Sequence, residues 1–344
     1  MSTQLNGRSA VMLLTVAIAV VVGCASASDP EPAARPAFTI GSPPEDVRRY
    51  QGEPDRVLRL ELSDQEVWYY AAAGVAAEHK VTMALSTHGV ISWTNADGSL
   101  SATVAPGRDT TGRAEFSIGS HRDDVARILG EPYRVVSEPL SGHETWAYHA
   151  GPSLDAEVTI STSSGTVVAW ANPAGTLQAT VDRGSDSVGG ATVSIGSHRR
   201  DVARIHGEPT GAQLVGGLDQ ETWFYAGPDG TADDRFLFSA STGRITGWFN
   251  DNRSLIATVA PGDATTAATV VAVDLHRDDV ARIYGEPYRV LLTGRRDMEI
   301  WFYSRVDDLT DDRVEISSSN GRVVSWTNTY GSFDTPGEGA GTPG

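Results

Sequence analysis

One pattern, written four times, decides what this chain can become. The triplet Gly-Glu-Pro recurs at Gly52, Gly130, Gly207 and Gly285, at intervals of 78, 77 and 78 residues. Sixteen residues beyond each of these glycines stands a tryptophan: Trp68, Trp146, Trp223 and Trp301. A second set follows at Trp93, Trp170, Trp248 and Trp326, and the two sets together account for all eight tryptophans in the protein. So regular a period marks a repeated structural unit.

Inside each unit the hydrophobic period changes once. The segment His121 to Leu129 places Val125, Ile128 and Leu129 on one helical face, and Gly130 followed by Pro132 is a strong stop. Ser120 with Asp123, and Ser42 with Glu45, have capping-box spacing, and Pro43 suits the first helical position. The third unit has Arg200 in place of the acid and the fourth has Leu275 in place of the serine, so weaker or shifted caps are expected there. The period then becomes two: Glu144, Trp146 and Tyr148 share a face, as do Glu66, Trp68, Tyr70 and their counterparts at Glu221 and Glu299. Glycines at 89, 165, 243 and 321 read as hairpin turns.

The expected fold class is therefore α+β, four tandem repeats, each a short helix packed on a roughly four-stranded antiparallel sheet. The repeat modules are placed at 38–104, 116–181, 193–259 and 270–333, joined by polar linkers and followed by a disordered tail at 334–344. Units of this size fold alone only marginally, so packing between neighbours is expected. The motif Leu-x-Ala-Thr-Val at Leu100, Leu177 and Leu255 is missing after the fourth unit, which suits a connector to the next unit. A four-bladed β-propeller is the rival architecture, although its blades usually run about 40–45 residues.

The first residues carry a different signal. Arg8 precedes an apolar run from Ala10 to Val22, too short at ~1.5 Å per residue to cross a ~30 Å hydrocarbon core but suited to a secretory leader. The sequence Val21-Val22-Gly23-Cys24 resembles the bacterial lipobox, which implies a signal peptide at 1–23, lipidation (palmitate) of Cys24 and a tether over 24–37. Ala25 stands where an aspartate would retain such a protein at the inner membrane, so the resemblance leans to the outer membrane in a host that has one.

Composition removes several classes. Acidic residues number 44 against 27 basic, a net charge of -17 that repels a phosphate backbone, so nucleic acid is not an expected partner. The single cysteine excludes a disulfide framework and a Cys-cluster zinc site. No hydrolase, metalloprotease, P-loop or dinucleotide motif is present, and no unit breaks the repeat symmetry as a catalytic copy would, so an enzyme is not expected.

Four recurrent features remain to be weighed. The eight tryptophans are expected in the core rather than on an exposed aromatic platform. Glu66, Glu144, Glu221 and Glu299 are expected to pair with the helix arginines present in every copy, Arg49, Arg127, Arg204 and Arg282. His121, His198 and His276 read as solvated first-turn residues, one per unit, too dispersed for a zinc site. Asp229, Asp233, Asp234 and the fourth-unit Asp307, Asp308, Asp311 and Asp312 crowd one loop without the alternating calcium-loop pattern. No metal or cofactor is assigned.

The order Gly-Ser, short helix, Gly-Glu-Pro, Trp-aromatic-Tyr, hairpin and Val-x-x-Trp resembles the SmpA/OmlA small-lipoprotein module of the outer-membrane barrel-assembly machinery. It is also similar to the related Trp-Tyr-Tyr-Gly repeats and to the tandem fold of β-lactamase inhibitory protein. The resemblance spans about residues 38 to 333. It implies a non-enzymatic protein-binding module, but transfers no partner. The expected function is a lipid-anchored cell-envelope scaffold that binds an envelope or secreted protein; the alternative is an inhibitor of an extracellular hydrolase acting through a concave sheet surface.

Overall fold

The computed structural model describes residues 37–73, 77–104, 109–150, 155–184, 189–226, 234–259, 266, 268–293, 297–303 and 312–333. Cys24, the expected leader, the tether as far as residue 36 and the 334–344 tail lie outside them. No helix of the described residues is long and apolar enough to cross a membrane.

Each sequence unit delivers one helix and then four strands. The first gives α1 (Pro44–Gln51), β1 (Arg56–Leu60), β2 (Gln65–Ala71), β3 (Glu78–Ala84) and β4 (Val90–Thr94). The second gives α2 (Arg122–Leu129), β5 (Arg134–Glu138), β6 (His143–His149), β7 (Asp155–Ser161) and β8 (Val167–Ala171). The third gives α3 (Arg199–His206), β9 (Gly211–Val215), β10 (Gln220–Tyr225), β11 (Asp234–Phe238) and β12 (Ile245–Phe249). The fourth gives α4 (Arg277–Tyr284), β13 (Arg289–Thr293), β14 (Met298–Phe302), β15 (Arg313–Ser317) and β16 (Val323–Thr327).

These strands do not divide into four sheets. They form one sixteen-stranded sheet in sequence order, β1 to β16, with every neighbouring pair antiparallel. The expectation of four separate helix-on-sheet modules of the α+β class is thereby corrected, and so is the propeller, whose blades are separate sheets. The overturning contacts are the junctions: β4 pairs with β5, β8 with β9 and β12 with β13, each through three residue pairs. The physical reason is edge pairing. A four-stranded unit standing alone leaves two rows of unpaired N–H and C=O groups, and joining last strand to first satisfies both rows at once.

Register turns the repeat into a single row across the sheet. Through successive partners it reads Val57, Trp68, Val81, Trp93, Val135, Trp146, Val158 and Trp170. It continues through Ala212, Trp223, Phe236, Trp248, Val290, Trp301, Val314 and Trp326. Even-numbered strands carry the indoles, and odd-numbered strands carry the smaller aliphatic groups or Phe236. A large ring beside a small partner fills the cross-strand space without overlap. Seven of the tryptophans are buried and Trp326, on the last strand, is partly exposed.

The helices lie on this tryptophan face. Val47, Val125, Val202 and Val280, one per helix, are fully buried in the same core cluster as the indoles. Their N-termini differ from the expected capping box. Pro43, His121, His198 and His276 are the N-cap residues, and Nδ1 of each of the three histidines accepts a helix N–H at 3.3 Å. Ser42, Ser120 and Ser197 instead accept an N–H from three residues upstream, closing the turn that precedes the helix.

Candidate functional site

Glutamate and tryptophan meet once per unit beneath the helices, and in the second, third and fourth units an arginine joins them. Because Glu144 and Trp146 are two residues apart on one strand, they share a face, and the indole N–H reaches back to the carboxylate. The Nε1–Oε distances are 2.6 Å for Trp68–Glu66, 2.5 Å for Trp146–Glu144, 2.7 Å for Trp223–Glu221 and 3.0 Å for Trp301–Glu299. The arginine is the first residue of the helix: Arg122 to Glu144 at 3.3 Å, Arg199 to Glu221 at 2.8 Å and Arg277 to Glu299 at 2.8 Å. Its guanidinium also stands over the ring, 5.1 Å from Trp146 and 5.3 Å from Trp301.

The expected partners were the wrong arginines. Arg49, Arg127, Arg204 and Arg282 sit one turn later and pair with Asp46, Asp124, Asp201 and Asp279 of their own helices. Three of them also tie down the linker, donating to the carbonyls of Arg113, Gly190 and Ala268. In the first unit Pro44 occupies the place of Arg122, and Arg48 covers Trp68 at 4.5 Å instead.

Sequence reasoning left the Gly-Glu-Pro glutamates without a task. Glu131 accepts the Thr103 hydroxyl at 2.7 Å and the Val104 N–H at 3.1 Å, both from the Leu-x-Ala-Thr-Val segment of the preceding unit. Glu286 does the same for Thr258 and Val259, and Glu208 for Thr180 and Val181. Arg122 and Arg277 add bonds to the carbonyls of Val104 and Val259. The connector motif is therefore one half of a clasp whose other half is Gly-Glu-Pro. The signal was present in the sequence, since the connector at Leu100, Leu177 and Leu255 stands each time ahead of a further Gly-Glu-Pro unit.

The remaining polar clusters are engaged in the fold. Asp234 accepts the N–H groups of Asn252 and Ser254, and Asp312 those of Tyr330 and Ser332. Burial raises the Asp312 pKa, but its bonds from Ser332, Tyr330 and Thr329 outweigh this and leave it below the ordinary carboxylate value. Asp229, Asp233, Asp307, Asp308 and Asp311 lie outside the described residues. Asp109, His121 and Asp123 are the one trio among the described residues whose potential ligand atoms lie within 4.8 Å of one another. Its members already serve the helix start, since Asp123 accepts the Asp109 N–H at 2.8 Å and His121 accepts the Asp123 N–H at 3.3 Å.

Burial raises the pKa of the aromatic hydroxyls. Tyr148, Tyr225 and Tyr303 are pushed far above the ordinary tyrosine value by desolvation, and Tyr70 is raised to about 12 for the same leading reason. Each hydroxyl faces the carbonyl of its unit's Gly-Glu-Pro glycine, at 3.3 to 3.4 Å. Protonated hydroxyls in such places brace a turn; they are poor bases.

Two surface features stand apart from this scaffolding. Leu62 and Leu140 are fully exposed and Leu218 is 62 % exposed, all at the turn joining the first and second strands of a unit. On the face away from the helices, Ala169, Ala171, Gly211 and Gln213 line a shallow trough walled by Phe224. No family model matches this chain, and no curated protein matches it.

Proposed function

We propose that the protein is a lipid-anchored component of a bacterial cell envelope that acts as a non-enzymatic binding scaffold for an envelope or secreted protein. The reading joins the lipobox-like Cys24, the SmpA/OmlA-like order of motifs and the repeated surface of the sheet. Where the host has two membranes, anchorage at the outer one is part of it.

The observation that carries the reading is the recurrence of an exposed leucine at one place in three successive units. Scattered apolar residues on a surface need no explanation, but Leu62, Leu140 and Leu218 occupy the same hairpin tip. Four strands separate each from the next, about 19 Å at ~4.8 Å per strand. Three equivalent apolar contacts held at fixed spacing suit a partner engaged at several points, which can raise avidity ~100-fold or more.

The test is crosslinking and recovery of partners from envelopes carrying the acylated protein, beside a variant with Leu62, Leu140 and Leu218 all changed to serine. The variant should keep its thermal midpoint and lose the recovered partner. Unchanged recovery would contradict the role of the tips, and a Cys24→Ser protein that stays in the membrane fraction would contradict the anchor.

A further inference from the structure

The junction that fuses the units is used three times inside the chain and leaves one unused half at each end. Among the described residues no strand pairs with the outer edge of β1 or of β16; Val323 at the start of β16 bonds to Asp274 and Leu275, as Val90 of β4 bonds to Gly41 and Ser42 beside the internal junction. Every residue of β1 is exposed, and Val57 is 50 % exposed although its counterparts Val135, Ala212 and Val290 in the same row are buried. Trp326 is partly exposed although Trp93, Trp170 and Trp248 are buried.

The two ends also match in sequence. Strand β16 reads Val-Val-Ser-Trp-Thr and β4 reads Val-Ile-Ser-Trp-Thr; β1 begins Arg-Val-Leu and β5 begins Arg-Val-Val. At the internal junction Ser92, Trp93 and Thr94 face Val136, Val135 and Arg134. The same register would set Ser325, Trp326 and Thr327 against Leu58, Val57 and Arg56. It would place an aliphatic group beside the exposed indole, as in the rest of the row.

We propose that β16 of one copy pairs with β1 of a second copy, so that the chain assembles head to tail through its sheet edges. The contact is heterologous and leaves a free edge at each end of every oligomer, so it propagates. It is a weaker contact than the internal junction. Glu53 has no connector to clasp after the fourth unit, Pro44 replaces the junction arginine, and only the strand ladder and the Trp326–Val57 contact remain. Reversible, concentration-dependent association follows. The inference rests on the sheet alone and stands or falls apart from the lipid anchor and the leucine tips.

The test uses the full chain with Cys24→Ser and the pair Arg56→Cys and Thr327→Cys. Mild oxidation should give a ladder of disulfide-linked dimers, trimers and longer species. Adding Val57→Lys, which sets a charge against Trp326 at a site half exposed in the single copy, should cut the ladder at least tenfold with the thermal midpoint unchanged. Thiols consumed without any gain in mass would mean closure of one chain on itself and would overturn the proposal. So would thiols that stay free, or a ladder indifferent to Val57→Lys.

Discussion

Arg277 donates to Glu299 at 2.8 Å while Glu299 accepts the indole N–H of Trp301 at 3.0 Å, so one buried carboxylate holds a helix start and a core ring together. Glu299→Ala would leave the indole donor of Trp301 unmatched and the Arg277 guanidinium without its counter-charge, held by the Val259 carbonyl. The expected loss is about 3 kcal/mol, since breaking a buried pair strands its partner charge. Glu299→Gln should cost less, because the amide oxygen still accepts the indole N–H. Urea unfolding of the two variants checks the order; equal losses would contradict it.

The clasp between units gives a second expectation. Glu286→Ala removes the carboxylate that accepts the Thr258 hydroxyl and the Val259 N–H, without touching the strand ladder. We expect a loss of about 1–2 kcal/mol, as for lost bonds to a charged acceptor. Amide exchange of Val259 should accelerate while that of Trp248 in β12 stays protected. Uniform acceleration would show that the clasp does not act locally.

Two glycines with positive φ, Gly165 in the β7–β8 turn and Gly130 at the end of α2, differ in their surroundings. Gly165 has φ +68°, and a Cβ there would lie 2.9 Å from Nε2 of His121; Gly130 has φ +76° and open space around it. Both resist alanine on conformational grounds, by about 1 kcal/mol. Gly165→Ala should lose more than Gly130→Ala because the cap histidine must also move. Thermal midpoints of the two variants decide it, and the reverse order would contradict the His121 geometry.

His206 supplies the pH dependence. Burial lowers its pKa, and its Nε2 accepts the Ile256 N–H at 3.3 Å. A histidine with a depressed folded value binds protons more readily when unfolded, so stability falls as pH drops below the unfolded value of about 6.5. The loss continues until the folded value is passed. Unfolding between pH 7.5 and 5 should show this slope in the native chain and a shallower one in His206→Leu; identical slopes would contradict it.

Local features were legible in the sequence because local residues encode them. Val125 with Ile128 marked the helix, Gly130 its end, and the alternation through Trp146 and Tyr148 the strand. The continuity of the sheet was not, because Thr94 and Arg134 meet across a linker and a helix, and nothing in either five-residue strand records where its outer edge will go. Recurrence points to Arg127 for a similar reason: it has a counterpart in all four units, whereas Pro44 interrupts the set to which Arg122 belongs. Recurrence reports that a residue is needed, while register and helix phase determine what it touches. His121 likewise recurs as a cap, a role normally signalled by serine or aspartate.

The continuity of the sheet is tested most directly at the β8–β9 junction, where Ala169 faces Gln213. In a Cys24→Ser chain carrying Ala169→Cys and Gln213→Cys, oxidation should close an intramolecular disulfide at one position in a single species, with native stability retained. Two thiols that remain free and reactive under the same conditions would show that the units stand as separate sheets.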